Sequence, residues 1–299
     1  MAANDIYIDH GSNGDSGTEA VDLKVHKVTP AFKIPHDLAK DLIEKVVHTA
    51  NLKSAFRAVK RNKGAPGIDK RTICDVEAVL DDIIKELQSS IIDDKHTPSS
   101  VRGVQIPKAN GKTRLLGIPT VIDRMVQQAI VQILSPIFDP HFSDNSYGFR
   151  PKRSASGAIS KAKSYVKSGK SWVVDMDLEA FFDNVNHDIL MSMIAHSISD
   201  KKLLKLIRSF LNAGMMQNGL VSKRDVGTPQ GGPLSPLLSN ILLHELDREL
   251  HLRDHSFVRY ADDCNIYVSS TLAAQRVLAS VTKFLKSKLK LKVNLTKSA

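Results

Sequence analysis

"RYADDCNIY", residues 259 to 267, sets two adjacent carboxylates, Asp262 and Asp263, into a stretch that otherwise has the composition of a β-strand. Apolar and β-prone residues on both sides predict two strands joined by a hairpin turn at the acidic pair. Neighbouring like charges repel unless a cation lies between them, and in proteins that cation is often a divalent metal ion. The pair is therefore either an ordinary hairpin turn or part of a metal site that requires a third carboxylate.

A second acidic stretch, "VVDMDLEAFFD" (173 to 183), supplies candidates for that third carboxylate. Strand alternation places Asp175, Asp177 and Glu179 on one face and the apolar residues between them on the other. Packing alone gives no reason to load one face of a buried strand with three acids. The stretch therefore predicts a strand whose acidic face has a chemical role.

Three of these carboxylates are predicted to form one metal site. If Asp177 meets Asp262 and Asp263, their oxygens suit hard divalent ions, with phosphates of a substrate completing the coordination. Two ions in such a site activate an attacking hydroxyl and stabilise a leaving pyrophosphate. Asp175 and Asp183 are further candidate ligands, although a salt bridge or a helix start suits each of them better.

The composition is that of an ordinary soluble globular protein, with 42% hydrophobic and 25% charged residues among 299. This length accommodates one large domain or two closely packed lobes. Cys74 and Cys264 are the only cysteines, too few for a disulfide framework or a structural zinc site, which fits a reducing cytoplasm. The sequence has neither a long apolar run nor an export signal, so we expect no membrane partner.

The net charge of +10 is unevenly distributed. No acidic residue occurs in residues 95–122, 145–174 or 264–299. Blocks of one sign favour binding to a polyanion, because each neutralised phosphate releases counterions. The alternative is a solvated basic surface, which would normally include acids. The residues predicted to contact nucleic acid are Arg150, Lys152, Arg153, Lys161 and Lys163.

Helices are predicted from the spacing of apolar residues and from capping residues. The spacing predicts helices over residues 37–61, about 72–89 and about 272–288. Thr120 is predicted to cap another helix that ends near Pro136. A long core helix is predicted to begin at Ser235-Pro236.

Strands are predicted on both sides of an Asn110-Gly111 turn, over residues 171–178, on both sides of the acidic pair, and over "LKLKVN" (289 to 294). Strands with helices laid on one side predict an α+β fold. Residues 1–30, polar and rich in glycine, predict a disordered leader.

Two further stretches suit a nucleoside triphosphate. Lys108 and Arg114 flank the predicted hairpin turn, so both could point at one polyphosphate. "GTPQGGPLSP" (227 to 236) runs into a helix N-terminus, where backbone approaches a ligand closely. Alternatively, the basic hairpin is merely exposed and the glycine loop is an ordinary turn.

The chain resembles a reverse transcriptase, specifically one encoded by a bacterial group II intron, over roughly residues 50–299. Seven blocks in order carry this resemblance: "GAPGID", "IPKANGKTRLLGIPTVIDRMVQQAI", "SYGFRPKRSA", "VDMDLEAFFDNVNHDIL", "GTPQGGPLSPLLSNILL", "FVRYADDCNIYV" and "LKVNLTKS". The resemblance implies that Asp177 and Asp262 are the principal metal-binding catalytic aspartates and that Asp263 is the third. It also implies two Mg²⁺ ions, for which Mn²⁺ can substitute.

The resemblance also implies a nucleotide pocket. Phe182 matches the aromatic residue that crowds the sugar 2′ position, although core packing is an equal alternative for this residue. Gln230 and Gly231 match the motif that lines the pocket. Lys108 and Arg114 match residues of the fingers that contact the triphosphate.

A right-hand polymerase architecture follows from the same resemblance, with a palm formed by an antiparallel sheet backed by helices. After the leader, residues 31–95 would form a helical N-terminal extension of the fingers, 96–170 the fingers and 171–299 the palm. The chain stops at "NLTKSA", where the palm of the family normally ends. We therefore expect the thumb to be absent and extension by this fragment to be weak or absent.

The implied function is RNA-directed DNA synthesis on intron RNA during retrohoming, with binding of that RNA to assist splicing. The implied partners are group II intron RNA, an RNA template with a DNA primer, and dNTPs; a homodimer is left open. The "SYGFRPKRSA" and "GIPTVIDRMVQQA" blocks favour the intron type over a retron or a diversity-generating element.

Two other classes of protein are alternatives. An RNA-binding maturase module would need none of the three aspartates. A metal-dependent nuclease would need the acids but not Phe182 or the pair of Lys108 and Arg114. Because the sequence contains all of these residues, both alternatives explain less of it.

Overall fold

The computed structural model of the chain describes residues 32, 34–35, 39–107, 113–217, 220–222, 226–228, 231–294 and 298. Within them, helices and two small sheets form the predicted α+β arrangement. The leader predicted over residues 1–30 lies outside the described residues.

The helices of the described residues begin mostly at side-chain caps. For example, the side chains of Thr120, Ser154, Asn186, Asp200 and Ser270 each accept a hydrogen bond from a backbone N–H in the first turn of a helix. The helices are α1 Leu42–Val47, α2 Thr49–Arg61, α3 Ile73–Glu77, α4 Leu80–Ile92, α5 Val121–Phe138, α6 Ala155–Lys167, α7 His187–Ser197, α8 Lys201–Asn212, α9 Leu234–Leu252 and α10 Thr271–Phe284.

Three predicted helices end or break where apolar spacing alone gives no signal. The extended backbone of His48, with ψ of 132°, separates α1 from α2. Val79, with φ of −127°, separates α3 from α4. After α10 the chain continues as a π-helical turn, Leu285–Leu289. None of the helices described combines the length and the apolar character needed to span a lipid bilayer.

The first sheet has the strand order β2-β1-β4-β5 and contains the predicted basic hairpin. β1 and β2 are antiparallel, whereas β1 and β4 are parallel. The turn between β1 and β2, residues 108–112, lies outside the described residues. The strands are β1 Val101–Pro107, β2 Thr113–Ile118, β4 Met215–Gln217 and β5 Leu220–Ser222. The sheet thus combines residues from the ranges assigned to the fingers and to the palm.

The second sheet is fully antiparallel, with the order β3-β7-β6. It consists of β3 Trp172–Met176, β6 Ser256–Tyr260 and β7 Asp263–Val268. The strand predicted over residues 289–294 is wrong in extent. Only an isolated bridge between Val293 and Leu178 forms there, because the π-helical turn occupies the start of the stretch.

The two faces of the second sheet differ as the alternation in β3 predicts. Val174, Met176 and Ile266 are buried on what we call the core face. Asp175 is exposed on the opposite face, which we call the outer face. Within β3, which ends at Met176, the predicted separation of acidic and apolar residues is therefore confirmed for Asp175.

Different helices cover the two faces. α10 packs on the core face, where Val277 and Val281 belong to the main hydrophobic core. α6 packs on the outer face through Ala158, which forms a small separate cluster with Val258 and Tyr267. Asp175 and Asp263, both on the outer face, remain exposed.

A buried carboxyl group lies at the N-terminus of α5. The Asp123 carboxylate accepts hydrogen bonds from the Thr120 hydroxyl at 2.7 Å and from the Ser99 N–H at 3.2 Å. Burial nevertheless disfavours its charged form and raises the pKa of Asp123 to about 6. In the capping box of α3, by contrast, a backbone hydrogen bond from Thr72 lowers the pKa of the exposed Asp75.

This raised pKa predicts a dependence of stability on pH. The contribution of Asp123 to the free energy of unfolding is full below its ordinary pKa of 3.8 and is lost as the pH rises through about 6. Asp123→Asn should remove this loss. As the pH rises from about 4.5 to about 7.5, its free energy of unfolding, measured with urea, should increase by about 2 kcal/mol relative to that of the unchanged chain. Asp75→Asn is the control. Because the pKa of Asp75 is lowered and not raised, this change should alter the pH dependence of the unfolding free energy in the opposite direction. Parallel pH profiles for Asp123→Asn and the unchanged chain would contradict the prediction.

Candidate catalytic site

The predicted hairpin forms, but its two-residue turn is shifted by one residue from the acidic pair. Tyr260 pairs with Asp263, which leaves Ala261 and Asp262 to form the turn between β6 and β7. Ala261 has a left-handed backbone, with φ of 57°, as such tight turns require. Asp262 is therefore held in the turn itself and Asp263 at the first position of β7.

The register of the sheet brings the predicted third carboxylate to the same place. Met176 lies opposite Cys264 in the antiparallel pair of β3 and β7, so Asp177 follows beside Asp263. Residues that lie opposite each other on antiparallel strands share a face. Asp177, the residue after the end of β3, and Asp263, the first residue of β7, therefore lie at the same end of the sheet, next to the turn that contains Asp262.

The three aspartates offer the oxygen donors that Mg²⁺ and Mn²⁺ prefer. In the part of the chain that the structure describes, no three His, Cys, Asp or Glu side chains form a ready-made group that could hold a metal ion. The aspartates are therefore neighbours through strand register and not a closed metal cage. Their chemistry fits a divalent ion that is also coordinated by phosphate oxygens of a substrate.

A C-terminal segment positions Asp177. The Asn294 side chain donates a hydrogen bond to the Asp177 carboxylate at 3.0 Å, and the Asn294 backbone N–H donates to the Asp177 carbonyl at 2.9 Å. The Asp177 N–H donates to the Ser298 hydroxyl at 3.2 Å. These contacts fix both the backbone and the carboxylate orientation at the end of β3.

A buried ion pair positions the turn. Arg259 and Asp247 both have fully buried side chains, and the guanidinium donates two hydrogen bonds of 2.7 Å to the two carboxylate oxygens. It also donates to the Asn240 side chain at 2.9 Å and to the Ala261 carbonyl at 2.8 Å. Burial lowers the pKa of Arg259, but the Asp247 carboxylate outweighs this effect, so the pKa is raised and the charge is retained.

The loop of residues 145–148 lies beside the same turn and is joined to it by hydrogen bonds. The Arg259 N–H donates to the Asn145 carbonyl, and the Tyr147 N–H donates to the Arg259 carbonyl, both at 2.9 Å. The Asn240 side chain donates to the Gly148 carbonyl at 3.0 Å. A Cβ atom at Gly148 would lie 2.2 Å from the Ala261 nitrogen, so this close approach requires glycine.

The start of the predicted nucleotide loop is docked against Phe182. The Thr228 N–H donates to the Phe182 carbonyl at 2.6 Å, and buried His187 donates from Nε2 to the Gly227 carbonyl at 2.6 Å. Gly227 has φ of 88°, and a Cβ atom there would lie 2.8 Å from the Asp183 carbonyl oxygen. The loop and the backbone of Phe182 therefore form one packed unit.

The Phe182 ring is half-buried and lies edge-on to the buried Phe181 ring, with centroids 5.2 Å apart. Gly231 lies at the other end of the loop, with φ of 122°, and a Cβ atom there would lie 2.6 Å from the Gly117 carbonyl oxygen of β2. The loop is thus anchored both beside Phe182 and on the first sheet.

The other predicted pocket residues are only partly described. Lys108 and Gln230 lie outside the described residues. The backbone of Arg114 belongs to β2. The predicted contacts of these three residues with a nucleotide stay predictions.

Arg150 has a different place from the one its charge suggests. Its side chain is only 4% exposed, and the guanidinium donates to the Asp139 carboxylate at 2.7 Å and to the carbonyls of Ser143 and Ser146 at 2.6 and 2.9 Å. Its donors are committed to the protein, contrary to the prediction that Arg150 contacts nucleic acid.

The other predicted nucleic-acid contacts are more accessible. Arg153 pairs with the exposed Asp144 at 2.6 Å. Lys161 lies over the Tyr165 ring, 4.9 Å from its centroid. Two of the residues are fully on the surface: Lys152 and Lys163.

Sequence reasoning missed the residues that position the site. The sequence does contain a sign of two of them. Arg259 is a charged residue within an apolar strand, and Asp247 is a charged residue that interrupts the apolar stripe of α9. His187 and Asn294 are polar residues in blocks already quoted, but their partners lie 40 and 117 positions away along the chain. No local pattern could identify those partners.

The family model described as reverse transcriptase (RNA-dependent DNA polymerase) matches residues 106–299. "Protein YkfC" of Escherichia coli is 39% identical over 208 residues, which cover 68% of this chain and 55% of that protein. "Group II intron-encoded protein LtrA" of Lactococcus lactis subsp. cremoris is 42% identical over 197 residues, which cover 65% of this chain and 32% of that protein. The chain thus spans about half and about a third of these relatives.

A solved structure shows the same fold. A chain of the "Partial Cas6-RT-Cas1--Cas2 complex" superposes with a TM-score of 0.52 at 21% identity, over 82% of this chain and 42% of that chain. Together with the family model, this likeness confirms the predicted α+β fold. The two relatives confirm the resemblance that the seven sequence blocks indicate.

The buried pair that holds the turn predicts a large loss of stability in Arg259→Met. This change leaves the Asp247 carboxylate buried without its partner, which typically costs about 3–5 kcal/mol of unfolding free energy. The double variant Arg259→Met/Asp247→Leu removes both charges and should be more stable than the single variant. Urea unfolding measures each of them.

Lys53→Met is the control for the loss of a charge from an ion pair. Lys53 and Asp81 lie 2.8 Å apart, but both side chains are exposed. Solvent already screens this pair, so its loss should change the urea midpoint little. Similar midpoints for Arg259→Met and Lys53→Met would contradict the predicted cost of leaving the buried Asp247 carboxylate unpaired.

Proposed function

The chain belongs to the reverse transcriptase family, and from this membership we propose that it acts as the RNA-directed DNA polymerase of a group II intron. It copies intron RNA into DNA during retrohoming and binds the intron RNA to assist splicing. Its substrates are dNTPs and an RNA template paired with a DNA primer. The identity to a group II intron-encoded protein favours this assignment over a retron or a diversity-generating element.

The observation that supports the proposal is the strand register, in which the pair Met176 and Cys264 directly adjoins Asp177 on one chain segment and Asp263 on the other, next to the turn that contains Asp262. We assign these three aspartates to two Mg²⁺ ions, which Mn²⁺ can replace. Bound there, the ions would supply Lewis-acid activation of a primer 3′ hydroxyl and charge stabilisation of the leaving pyrophosphate. The protein itself contributes position, since Asn294 orients Asp177 and Arg259 holds the turn.

The docked glycine loop suggests how the sugar is selected. Phe182 is the proposed gate against a 2′ hydroxyl, and its carbonyl accepts a hydrogen bond from Thr228 at the start of the loop. We assign Gln230 and Gly231 to the wall of the nucleotide pocket, and Lys108 and Arg114 to the triphosphate. The deoxyribose would then lie between the gate and the loop.

The remaining assignments follow from the family. Residues 31–95 are the proposed helical extension of the fingers, 96–170 the fingers and 171–299 the palm. Lys152, Arg153, Lys161 and Lys163 remain proposed nucleic-acid contacts. Two free cysteines, one of them exposed, suit the reducing cytoplasm that we propose as its location.

Asp177→Asn should abolish primer extension while leaving RNA affinity nearly unchanged. The carboxylate organises the metal ions, whereas basic residues elsewhere contact phosphates. Extension of a DNA primer on an RNA template with Mg²⁺ and filter binding of the same RNA measure the two effects in the full-length protein. Asp188→Asn is the matched control, because Asp188 is exposed on α7 and pairs with Arg208. Full extension by Asp177→Asn would refute the metal assignment.

Phe182→Ala should increase incorporation of ribonucleotides relative to deoxyribonucleotides. Removal of the ring relieves a steric clash with the 2′ hydroxyl, which we expect to be worth a few kcal/mol. The measurement is kcat/KM for a matched pair of rNTP and dNTP. Lys108→Ala serves as the control and should weaken both nucleotides alike. An unchanged sugar preference in Phe182→Ala would instead assign that ring to core packing.

A further inference from the structure

The C-terminal part of the described chain carries a run of lysines that the catalytic site does not use. We call Lys283, Lys286, Lys288 and Lys290 the lysine surface. All four side chains are exposed, and no acidic residue occurs between residue 264 and the end of the chain. Among the described residues, the structure records no ion pair for any of the four.

The local structure projects these lysines away from the core. Leu285, Leu289 and Leu291 alternate with them and are buried. The π-helical turn over Leu285–Leu289 and the left-handed backbone of Lys290, with φ of 57°, keep the leucines on one side. The segment is therefore anchored by its apolar residues and presents a one-sided positive surface.

The lysine surface belongs to the side of the sheet opposite the catalytic aspartates. α10 and the π-helical turn pack into the main core through Val277, Val281 and Leu285, together with the core face of the sheet. Asp177 and Asp263 belong to the outer face. The lysine surface therefore follows the helix on the core face, whereas the aspartates belong to the outer face, which the same segment reaches at Asn294 through its hydrogen bond to Asp177.

The chemistry of the surface favours the phosphates of folded, double-helical RNA. Lysine ammonium groups are compact point charges that suit phosphates, and they lack the planar fork of the arginine guanidinium. Phe284, between Lys283 and Lys286, packs against the main hydrophobic core and is only partly exposed, so it is a poor platform for stacking single-stranded bases. A membrane is a poor fit, because the apolar residues of the segment are buried and none could insert into lipid.

We propose that the lysine surface is a second RNA-binding site that holds a helical stem of a folded RNA by its phosphates while the primer and template occupy the aspartate site. The proposal rests on the proposed function only in that the protein acts on RNA. It goes further by assigning RNA retention to a surface of the palm that takes no part in nucleotidyl transfer.

The test is the quadruple variant Lys283→Gln/Lys286→Gln/Lys288→Gln/Lys290→Gln in the full-length protein. The probe is an RNA hairpin with a long uninterrupted stem, and the readout is affinity across a salt titration. The slope of log affinity against log salt should become shallower by roughly 0.9 for each phosphate that the variant no longer neutralises. Affinity at moderate salt should fall at least about tenfold. Extension of a short primer on a short template at saturating concentration should remain.

A matched control removes the same charge from lysines that already have acidic partners. Its four substitutions are Lys53→Gln, Lys60→Gln, Lys85→Gln and Lys95→Gln, at residues paired with Asp81, Glu77, Asp82 and Asp93. This variant should keep most of the affinity for the hairpin. A comparable decrease in both variants would mean that overall charge explains the effect, and it would overturn the proposal.

Three other results would also overturn it. An unchanged salt slope in the quadruple variant would make the lysines a solvated surface. Loss of extension on the short primer–template would assign them to the catalytic channel. Loss of binding to polyglutamate, with the hairpin still bound, would indicate an acidic protein partner. The Asp177 variant tests nucleotidyl transfer by a different readout, so either proposal can fail without the other.

Discussion

The buried pair of Arg259 and Asp247 is the interaction on which the geometry of the site depends. Its charges are removed from water, and only the near-ideal two-point contact and the further hydrogen bonds of the guanidinium offset that cost. Those further bonds reach Asn240 on α9 and the carbonyl of Ala261 in the turn. One side chain thus ties the hairpin to the central helix at the point where the two adjacent aspartates are presented.

Shared hydrogen-bond partners connect the other parts of the site. Asn240 accepts from Arg259 and donates to the carbonyl of Gly148, so the loop of residues 145–148 and the turn share one partner on α9. The glycine loop is similarly anchored twice, at Gly227 against Asp183 and at Gly231 against Gly117 of β2. The turn with the two aspartates, the backbone beside Phe182 and the glycine loop are each held by a close backbone approach that admits no larger side chain, at Gly148, Gly227 and Gly231.

The sequence predicted the parts of this arrangement that depend on local periodicity. The alternation around Asp177 gave the outer face, and the β-prone residues flanking Asp262 gave the hairpin, because both follow from a two-residue repeat. The break at His48 escaped prediction, since a single extended residue leaves the apolar spacing intact. Arg150 was misassigned because charge alone does not distinguish a guanidinium that contacts phosphate from one that satisfies carbonyl groups of its own chain.

The contacts that orient Asp177 also determine the stage of folding at which the site forms. Its hydrogen bonds with Asn294 and Ser298 join residues 117 and 121 positions apart. Contacts between such distant residues offset the entropy of loop closure only after much of the intervening chain is already ordered. The hairpin of β6 and β7, by contrast, joins residues that are close in sequence, so it can form before most of the chain is ordered. A nascent chain can therefore form its acidic turn early, but the carboxylate of Asp177 is oriented only when the segment that contains Asn294 and Ser298 has docked.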